Sequence, residues 1–172
     1  IAGKYPADTL VLDFSQLRPA GERLKGYGWI SSGDSAISTA YVAIANILNG
    51  RADSLLTRMD ILDIVNHLGT ILSSRRSAEI ALFDYDQPEW EEFAVAKKDW
   101  WLHNNQHRTQ SNNSLVFKKK PLKSDLEKIF TMMIKAGGSE PGFINEVEAL
   151  RRAPWFKGAN PCVEILLGNK SF

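Results

Sequence analysis

The sequence predicts an α/β fold in which helices alternate with short and largely parallel strands. The first observation is that apolar residues recur at helical spacing over 34–50, 57–72 and 124–136, with shorter apolar runs between these stretches. The second is the alternation itself, which is typical of parallel sheets. The third is size and composition, because 172 residues with 44% hydrophobic content can bury one sizeable core. We therefore treat residues 1–172 as a single segment.

The composition argues against several classes of protein. A formal net charge of +1 argues against a dedicated nucleic-acid binder, which normally carries a strongly basic face. No apolar run approaches the length of a membrane span, and the N-terminal residues lack a signal-peptide pattern. The one cysteine cannot form a disulfide within the chain. The sequence therefore predicts a protein of the reducing cytoplasm, with no membrane and no nucleic-acid partner.

The N-terminal part is expected to contain a strand, a loop and a helix. Residues 9–14 form a short apolar run with β-branched residues, which predicts a buried strand. Residues 17–33 contain four glycines and one proline, which predicts a loop with unusual backbone angles or close approach to a ligand. Asp34 or Ser35 is expected to cap the first helix, and Gly50 lies just beyond its last apolar residues.

The remaining elements follow in the same alternating order. Thr57 is followed three residues later by an aspartate, which is the spacing of a capping box for the second helix. A turn with two arginines leads into a strand over 75–83, and residues 110–117 predict a polar turn that enters a further strand. Ser124 is expected to cap a helix that continues to Ala136, where two glycines stop it.

One stretch suggests a different chemistry. His103 and His107 have the i, i+4 spacing of a metal-binding pair on a helix. No carboxylate or cysteine lies near them at ligand spacing, so a polar helix face is the preferred interpretation and no metal site is predicted. Trp100 and Trp101 could stack on bases, but without a basic groove they are interpreted as core or interface residues.

The residues from Asn160 to Glu164 hold the only cysteine of the chain. In an extended or tightly looped backbone, side chains at positions i, i+2 and i+4 project to the same side. Asn160, Cys162 and Glu164 are therefore expected to converge on one small volume, which brings together an amide, a sulfur and a potential general base. Pro161 fixes its own φ and biases Asn160 toward extended geometry. The alternative interpretation is a buried structural cysteine in a strand.

The pattern Asn-Pro-Cys-x-Glu resembles the active-site finger loop of ribonucleotide reductases, most of all that of the adenosylcobalamin-dependent (class II) enzymes. The resemblance implies that Cys162 carries a transient thiyl radical, that Glu164 is the base acting on the ribose 3′-hydroxyl, and that Asn160 hydrogen-bonds the ribose hydroxyls. It also implies a portion of a ten-stranded α/β barrel, with the finger loop, about residues 159–168, threaded through its centre. The implied cofactor is adenosylcobalamin.

Further stretches resemble the same family in the same order, among them Arg-Arg-Ser-Ala-Glu-Ile-Ala-Leu and Glu-Pro-Gly-Phe. Residues 18–33, with the pattern Arg-Pro-x-Gly…Lys-Gly…Ser-Gly, resemble the loop that joins substrate choice to the allosteric specificity effector. This implies a specificity role for Arg18, Gly21, Arg23, Lys25 and Gly26. Ser-Asn-Asn-Ser is another match. It implies a possible substrate pocket, against the alternative of turn chemistry that satisfies its own backbone, at Ser111, Asn112 and Asn113.

The function that the resemblance implies is conversion of ribonucleotides to 2′-deoxyribonucleotides by thiyl-radical chemistry, for DNA synthesis. Diphosphate and triphosphate substrates are both open. The implied partners are a ribonucleotide substrate, a deoxynucleotide effector, a thioredoxin-type reductant and the remaining parts of the reductase chain. One alternative is a non-catalytic nucleotide-binding or interaction domain that retains the fold, for which Cys162 is dispensable. Another is a single-strand nucleic-acid binder with steep salt dependence, which would use Trp90, Trp100 and Trp101.

The ends of the sequence lead to one further expectation. The chain starts at Ile1 and stops at Phe172, and the two cysteines with which the family delivers reducing electrons are expected beyond these ends. The sequence is therefore interpreted as an internal fragment of a larger enzyme, which does not turn over in isolation. A gene interrupted after Phe172 by an intein or a split, or else a deliberate truncation, is the hypothesis for that end.

Overall fold

The computed structural model describes residues 11–25, 30–72 and 79–171. The helices are α1 Gly33–Gly50, α2 Arg58–Gly69, α3 Trp90–Ala94, α4 Lys123–Ala136 and α5 Glu146–Arg152, with a 3₁₀-helix at Gln106–Gln110 before the second strand. The strands are β1 Glu79–Asp84, β2 Ser111–Phe117, β3 Gly142–Asn145, β4 Gly158–Ala159 and β5 Leu166–Leu167.

Strands β1, β2 and β3 form a parallel sheet with β2 in the centre. Glu79 lies opposite Ser111 in the first pair, and Ser114 lies opposite Gly142 in the second. A Cβ atom at Gly142 would lie 2.6 Å from Ser114 Oγ, so a larger residue at this position would force the Ser114 hydroxyl to move. The sheet confirms the prediction of an α/β fold with largely parallel strands, while the ten-stranded barrel stays a prediction. β4 and β5 form a separate antiparallel hairpin.

The two faces of β2 pack against different apolar clusters, as expected for a central parallel strand. The first cluster lies against α2, α3 and α4, on what we call the helix side of the sheet, and takes Leu115 and Phe117 from β2. Its other buried members are Met59, Leu62, Phe83, Phe93, Ala94, Ala96 and Ile129. The second cluster lies on the opposite face, takes Val116 from β2, and adds Ile144, Ala149, Ala153 and Phe156. The hairpin of β4 and β5 packs on this second face through Leu166.

The helix ends confirm some of the predicted caps and correct others. The capping box of α2 is present: the Asp60 N–H donates to Thr57 Oγ1 at 3.1 Å, and the Thr57 N–H donates to Asp60 Oδ2 at 2.7 Å. Ser124 is not the N-cap of α4, because Leu122 occupies that position: the carboxylate of Asp125 accepts from the Leu122 N–H at 2.9 Å, and the helix begins at Lys123. The cap of α1 is Ser32, so the predicted caps Asp34 and Ser35 are wrong.

The strand predicted over 9–14 is wrong for the residues that the structure describes. Residues 11–14 form no strand, and Val11 is 82% exposed. An apolar run forms a strand only beside a neighbour that completes its hydrogen bonds, and no described element pairs with this one. Residues 9 and 10 lie outside the described part, as do residues 75–78 of the arginine-containing turn, and β1 begins at Glu79.

The histidine stretch is not a helix face. His103 lies in a turn and His107 lies in the 3₁₀-helix, where its ring stacks on His67 of α2 with centroids 3.9 Å apart. His107 Nε2 lies 2.8 Å from Asp63 Oδ1, and Arg108 binds both oxygens of the same carboxylate at 2.6 and 2.7 Å. The side chains of Asp63, His67, His107 and Arg108 join α2 to the segment before β2. Sequence spacing does not reveal this connection.

Two electrostatic effects operate in this cluster. Burial raises the pKa of Asp63, but hydrogen bonds from Arg108 and His107 outweigh it and lower the pKa to about 2. Burial, together with the neighbouring His107 ring, lowers the pKa of His67. Among the described residues, no group of three or more histidine, cysteine or acidic side chains has a geometry that could hold a metal ion.

The paired tryptophans precede the 3₁₀-helix in the sequence. Trp100 and Trp101 meet edge to face with ring centroids 5.7 Å apart, and Trp101 is 63% exposed. The interpretation of Trp101 as a core residue is therefore wrong, and an interface role stays a prediction. None of the helices in the described ranges is long and apolar enough to cross a membrane.

Candidate functional site

Residues 160–165 form a tight loop that joins β4 to β5; we call it the cysteine loop. Asn160 closes it three times: its N–H donates to Ile165 O at 3.2 Å, its side-chain Oδ1 accepts from the Ile165 N–H at 2.9 Å, and its carbonyl accepts from the Val163 N–H at 2.9 Å. The backbone is therefore looped rather than extended. The shape of the loop is set by Asn160, for which the family resemblance implies only a role as a substrate ligand.

Val163 gives the cysteine loop its unusual backbone. Its φ is +66°, in the left-handed region that a β-branched residue rarely adopts. Such a conformation costs on the order of 1–3 kcal/mol and persists only where the surroundings enforce it. Here the side chain of Val163 packs against the second apolar cluster. The packing of Val163 thus supports a turn that leaves its neighbour Cys162 at the surface.

Cys162 and Glu164 are both exposed. The alternative of a buried structural cysteine is therefore wrong. Neither side chain makes a hydrogen bond to another described residue, so the structure places the three predicted side chains on one short loop without bonding them to each other. The carbonyl of Pro161, directly before the cysteine, accepts a hydrogen bond from Asn112 Nδ2 at 2.8 Å.

The three polar residues at the start of β2 point to two different sides. Asn112 is exposed and reaches the cysteine loop. Ser111 and Asn113 are buried on the helix side, where Ser111 Oγ donates to Asn113 Oδ1 at 2.8 Å. The structure therefore brings Asn112 to the candidate site and does not bring Ser111 or Asn113 there, because successive side chains of a strand alternate in direction.

A second polar region lies on the helix side of the sheet. The sequence patterns did not predict it. Lys97 donates to the carbonyl oxygen of Ser111 and pairs with Glu140 at 2.7 Å. Both side chains line a cavity of about 530 Å³, together with Trp100 and Asn113. The match at Glu-Pro-Gly-Phe was the only sequence signal for Glu140, and no pattern pointed to Lys97.

The glycine-rich loop after residue 17 is held by its own backbone. The Gly21 N–H donates to Ser31 O at 2.9 Å, and the Ser31 N–H donates to Glu22 O at 2.7 Å. Arg23 and Ile30 form an isolated antiparallel β-bridge. Gly21 has a φ of +88°, which explains why glycine stands there. The exposed cations of this loop are Arg18, Arg23 and Lys25, and Gly26 lies outside the described residues.

Comparison with known proteins adds the evolutionary context. The chain is 31% identical to the adenosylcobalamin-dependent ribonucleoside-triphosphate reductase of Lactobacillus acidophilus and 34% identical to that of Lacticaseibacillus paracasei. It is 30% identical to the enzyme of the same name from Lactobacillus leichmannii. Each alignment covers 93% of this chain and 22% of the relative, so the chain spans about a fifth of these reductases. No family model and no solved structure matches it.

The chain, which has a parallel α/β sheet and an exposed Asn-Pro-Cys-x-Glu loop, is thus similar along 93% of its length to members of the ribonucleotide reductase family. Within that family, its similarity is to the adenosylcobalamin-dependent ribonucleoside-triphosphate reductases.

Proposed function

We propose that this chain is part of the catalytic barrel of a reductase that converts ribonucleotides to 2′-deoxyribonucleotides with adenosylcobalamin. The observation that carries the proposal is the exposed Cys162 on a loop shared with Asn160 and Glu164, in a sequence similar to reductases of that name. The carbon–oxygen bond at C2′ of ribose is inert to ordinary acid–base chemistry. Removal of the 3′-hydrogen atom makes loss of the 2′-hydroxyl feasible, and the sulfur of Cys162 is the side-chain atom in the loop that can carry the radical.

Each residue of the cysteine loop has a role in this proposal. Cys162 takes the hydrogen atom from C3′ and returns one after reduction. Glu164 takes the proton of the 3′-hydroxyl during loss of water, which is a general-base role. Asn160 orients the sugar, and the orientation lowers the entropy cost of the reaction. The exposure of both Cys162 and Glu164 supports these roles, because substrate can reach them.

The exposure of Cys162 is also compatible with adenosylcobalamin as the cofactor. Adenosylcobalamin, when bound, supplies the radical equivalent that protein residues alone lack. The thiol of Cys162 lies at the surface of the loop, so a large group can approach it. What this chain contributes is the position of that thiol, which is fixed by Val163 on one side and by the Pro161 carbonyl on the other.

We further propose that the loop over 18–33 selects the base of the substrate in response to a deoxynucleotide effector. Its exposed cations Arg18, Arg23 and Lys25 support this role, since phosphate and nucleobase edges accept hydrogen bonds from such groups. The proposed partners are the remaining parts of the reductase chain, which complete a ten-stranded barrel, and a thioredoxin-type reductant. The proposed location is the cytoplasm, where a free thiol stays reduced.

Glu164→Gln in the complete reductase chain is expected to lower single-turnover reduction by roughly 10²- to 10⁴-fold, because the amide cannot take the 3′-hydroxyl proton. Substrate binding is expected to stay near the wild-type value. Rapid-quench measurement of deoxyribonucleotide formation checks the rate. Glu127→Gln, at an exposed position of α4, is the matched control and leaves the rate unchanged. An unaltered rate for Glu164→Gln removes this residue from the mechanism, and wild-type protein that binds nucleotides without reducing them indicates a non-catalytic domain.

Arg23→Ala or Lys25→Ala is expected to change the ratio of the four bases reduced in a mixed-substrate assay, and to change total activity less. The reason is that Arg23 and Lys25 lie on a loop held by its own backbone hydrogen bonds. In the proposed role they contact the base or the effector, and they do not touch the reacting sugar carbons. Lys123→Ala, which removes a 91% exposed cation on α4, provides the control. A ratio equal to that of the wild type counts against a selective role for the loop.

A further inference from the structure

Asn112 reaches the cysteine loop from a distant part of the chain. Its Nδ2 donates to Pro161 O at 2.8 Å, across a sequence separation of 49 residues. The neighbouring polar side chains of β2 cannot replace it, because Ser111 and Asn113 point to the helix side and bond to each other. This contact therefore depends on one amide group at one position of the central strand.

The acceptor of this bond determines its consequence. Pro161 O belongs to the peptide group that immediately precedes Cys162. Because a peptide group is planar, a hydrogen bond to its oxygen fixes the orientation of the Cys162 nitrogen and constrains its Cα. On the other side of the cysteine, Val163 packs into the second apolar cluster. The backbone of Cys162 is thus held from both sides, while its thiol is exposed.

We infer that Asn112 is a positioning residue for Cys162 and acts through the Pro161 carbonyl. The inference rests on the proposed function and replaces the expectation that this side chain faces the sugar as a ligand. A radical-carrying sulfur abstracts a hydrogen atom only at close approach and correct angle, so a small displacement of the loop slows the reaction. A loss of positioning affects turnover and thiol environment, whereas a loss of substrate contact affects binding.

Asn112→Asp in the complete reductase chain tests the inference. The substitution preserves shape but replaces the amide donor with an oxygen that repels the Pro161 carbonyl. We expect kcat to fall by roughly tenfold with an unchanged KM, since misplacement of a reacting atom is costly. We also expect the rate of Cys162 alkylation by iodoacetamide, measured without substrate by mass spectrometry of the cysteine-loop peptide, to differ from that of the wild type.

Asn145→Asp is the matched control, because it makes the same chemical change where only the oxygen is used. Asn145 Oδ1 accepts from the Glu148 N–H at 3.1 Å, and an aspartate keeps this acceptor. Both readouts are expected to stay at wild-type values. Should Asn112→Asp fail to fold, Asn112→Ala removes the donor without adding charge and gives the same test.

The possible results separate the inference from the proposed function. A raised KM with unchanged kcat and unchanged alkylation makes Asn112 a substrate ligand and overturns the inference. Wild-type values of all three quantities overturn it as well. Absence of reduction by the wild-type chain refutes the proposed function instead, and the alkylation rates then decide alone whether Asn112 positions the thiol.

Discussion

Replacement of Cys162 by serine is expected to abolish nucleotide reduction by the complete reductase chain while nucleotide binding stays largely intact. Oxygen is a poor carrier of the radical, because the O–H bond is much stronger than the S–H bond. The substitution disturbs little else, since the side chain is exposed and makes no hydrogen bond to another described residue. The backbone of the cysteine loop is held by Asn160 and Val163, and both stay in place.

The measurement combines two assays on the same preparation. Deoxyribonucleotide formation is followed by chromatography, and nucleotide affinity is followed by equilibrium dialysis. Retained affinity shows that the variant is folded, so that lost turnover reports on the sulfur itself. Any reduction by the serine variant above the background of a cofactor-free sample contradicts the assignment of Cys162 as the radical site.

Arg108→Ala is expected to destabilise the junction between α2 and the 3₁₀-helix by roughly 2–3 kcal/mol, because it leaves the carboxylate of Asp63 poorly compensated in a largely buried site. The two side chains are 13% and 18% exposed. The substitution also removes the bond from Arg108 Nη1 to Ala96 O at 3.0 Å. Hydrogen exchange of the α2 amides at pH 7 measures the effect.

The choice of pH follows from the shifted pKa of Asp63. Its value of about 2 lies below the ordinary 3.8, so the ion pair contributes stability that is fully present above about pH 4 and is lost as the pH falls through 2. The control is Arg151→Ala, which breaks a surface pair with Glu148 whose arginine is 66% exposed. That variant is expected to lose less than about 1 kcal/mol. Equal exchange rates in both variants contradict the buried-pair assignment.

Local sequence patterns predicted those features that depend on local contacts. The capping box at Thr57, the αL glycine Gly137 that ends α4 and the alternation of strands and helices all follow from residues within a few positions of each other. The Asn-Pro-Cys-x-Glu pattern likewise identified the candidate loop. The apolar run over 9–14 shows the limit of such patterns, because an isolated run says nothing about a neighbouring strand.

Contacts between distant residues could not be predicted in this way. Arg108 and Asp63 are 45 positions apart, and Asn112 and Pro161 are 49 positions apart. Neither pair forms a periodic pattern that a single sequence reveals. The backbone of Val163 is a different case, because β-branched residues favour extended φ values and the sequence therefore indicates the opposite of what is observed. Tertiary packing against the second cluster overrides that local preference.

The closing bonds of Asn160 also set a direction for hydrogen bonding in the proposed reaction. Its oxygen accepts from the Ile165 N–H and keeps a second lone pair, whereas its NH₂ group makes no hydrogen bond to another described residue and offers two donors to a sugar hydroxyl. A ribose hydroxyl bound there contributes its oxygen lone pair and keeps its own proton unshared. That proton is then free to pass to a carboxylate such as Glu164. In the proposed reaction, Asn160 would thus both fold its own loop and donate to the sugar, which would leave the hydroxyl proton to the base.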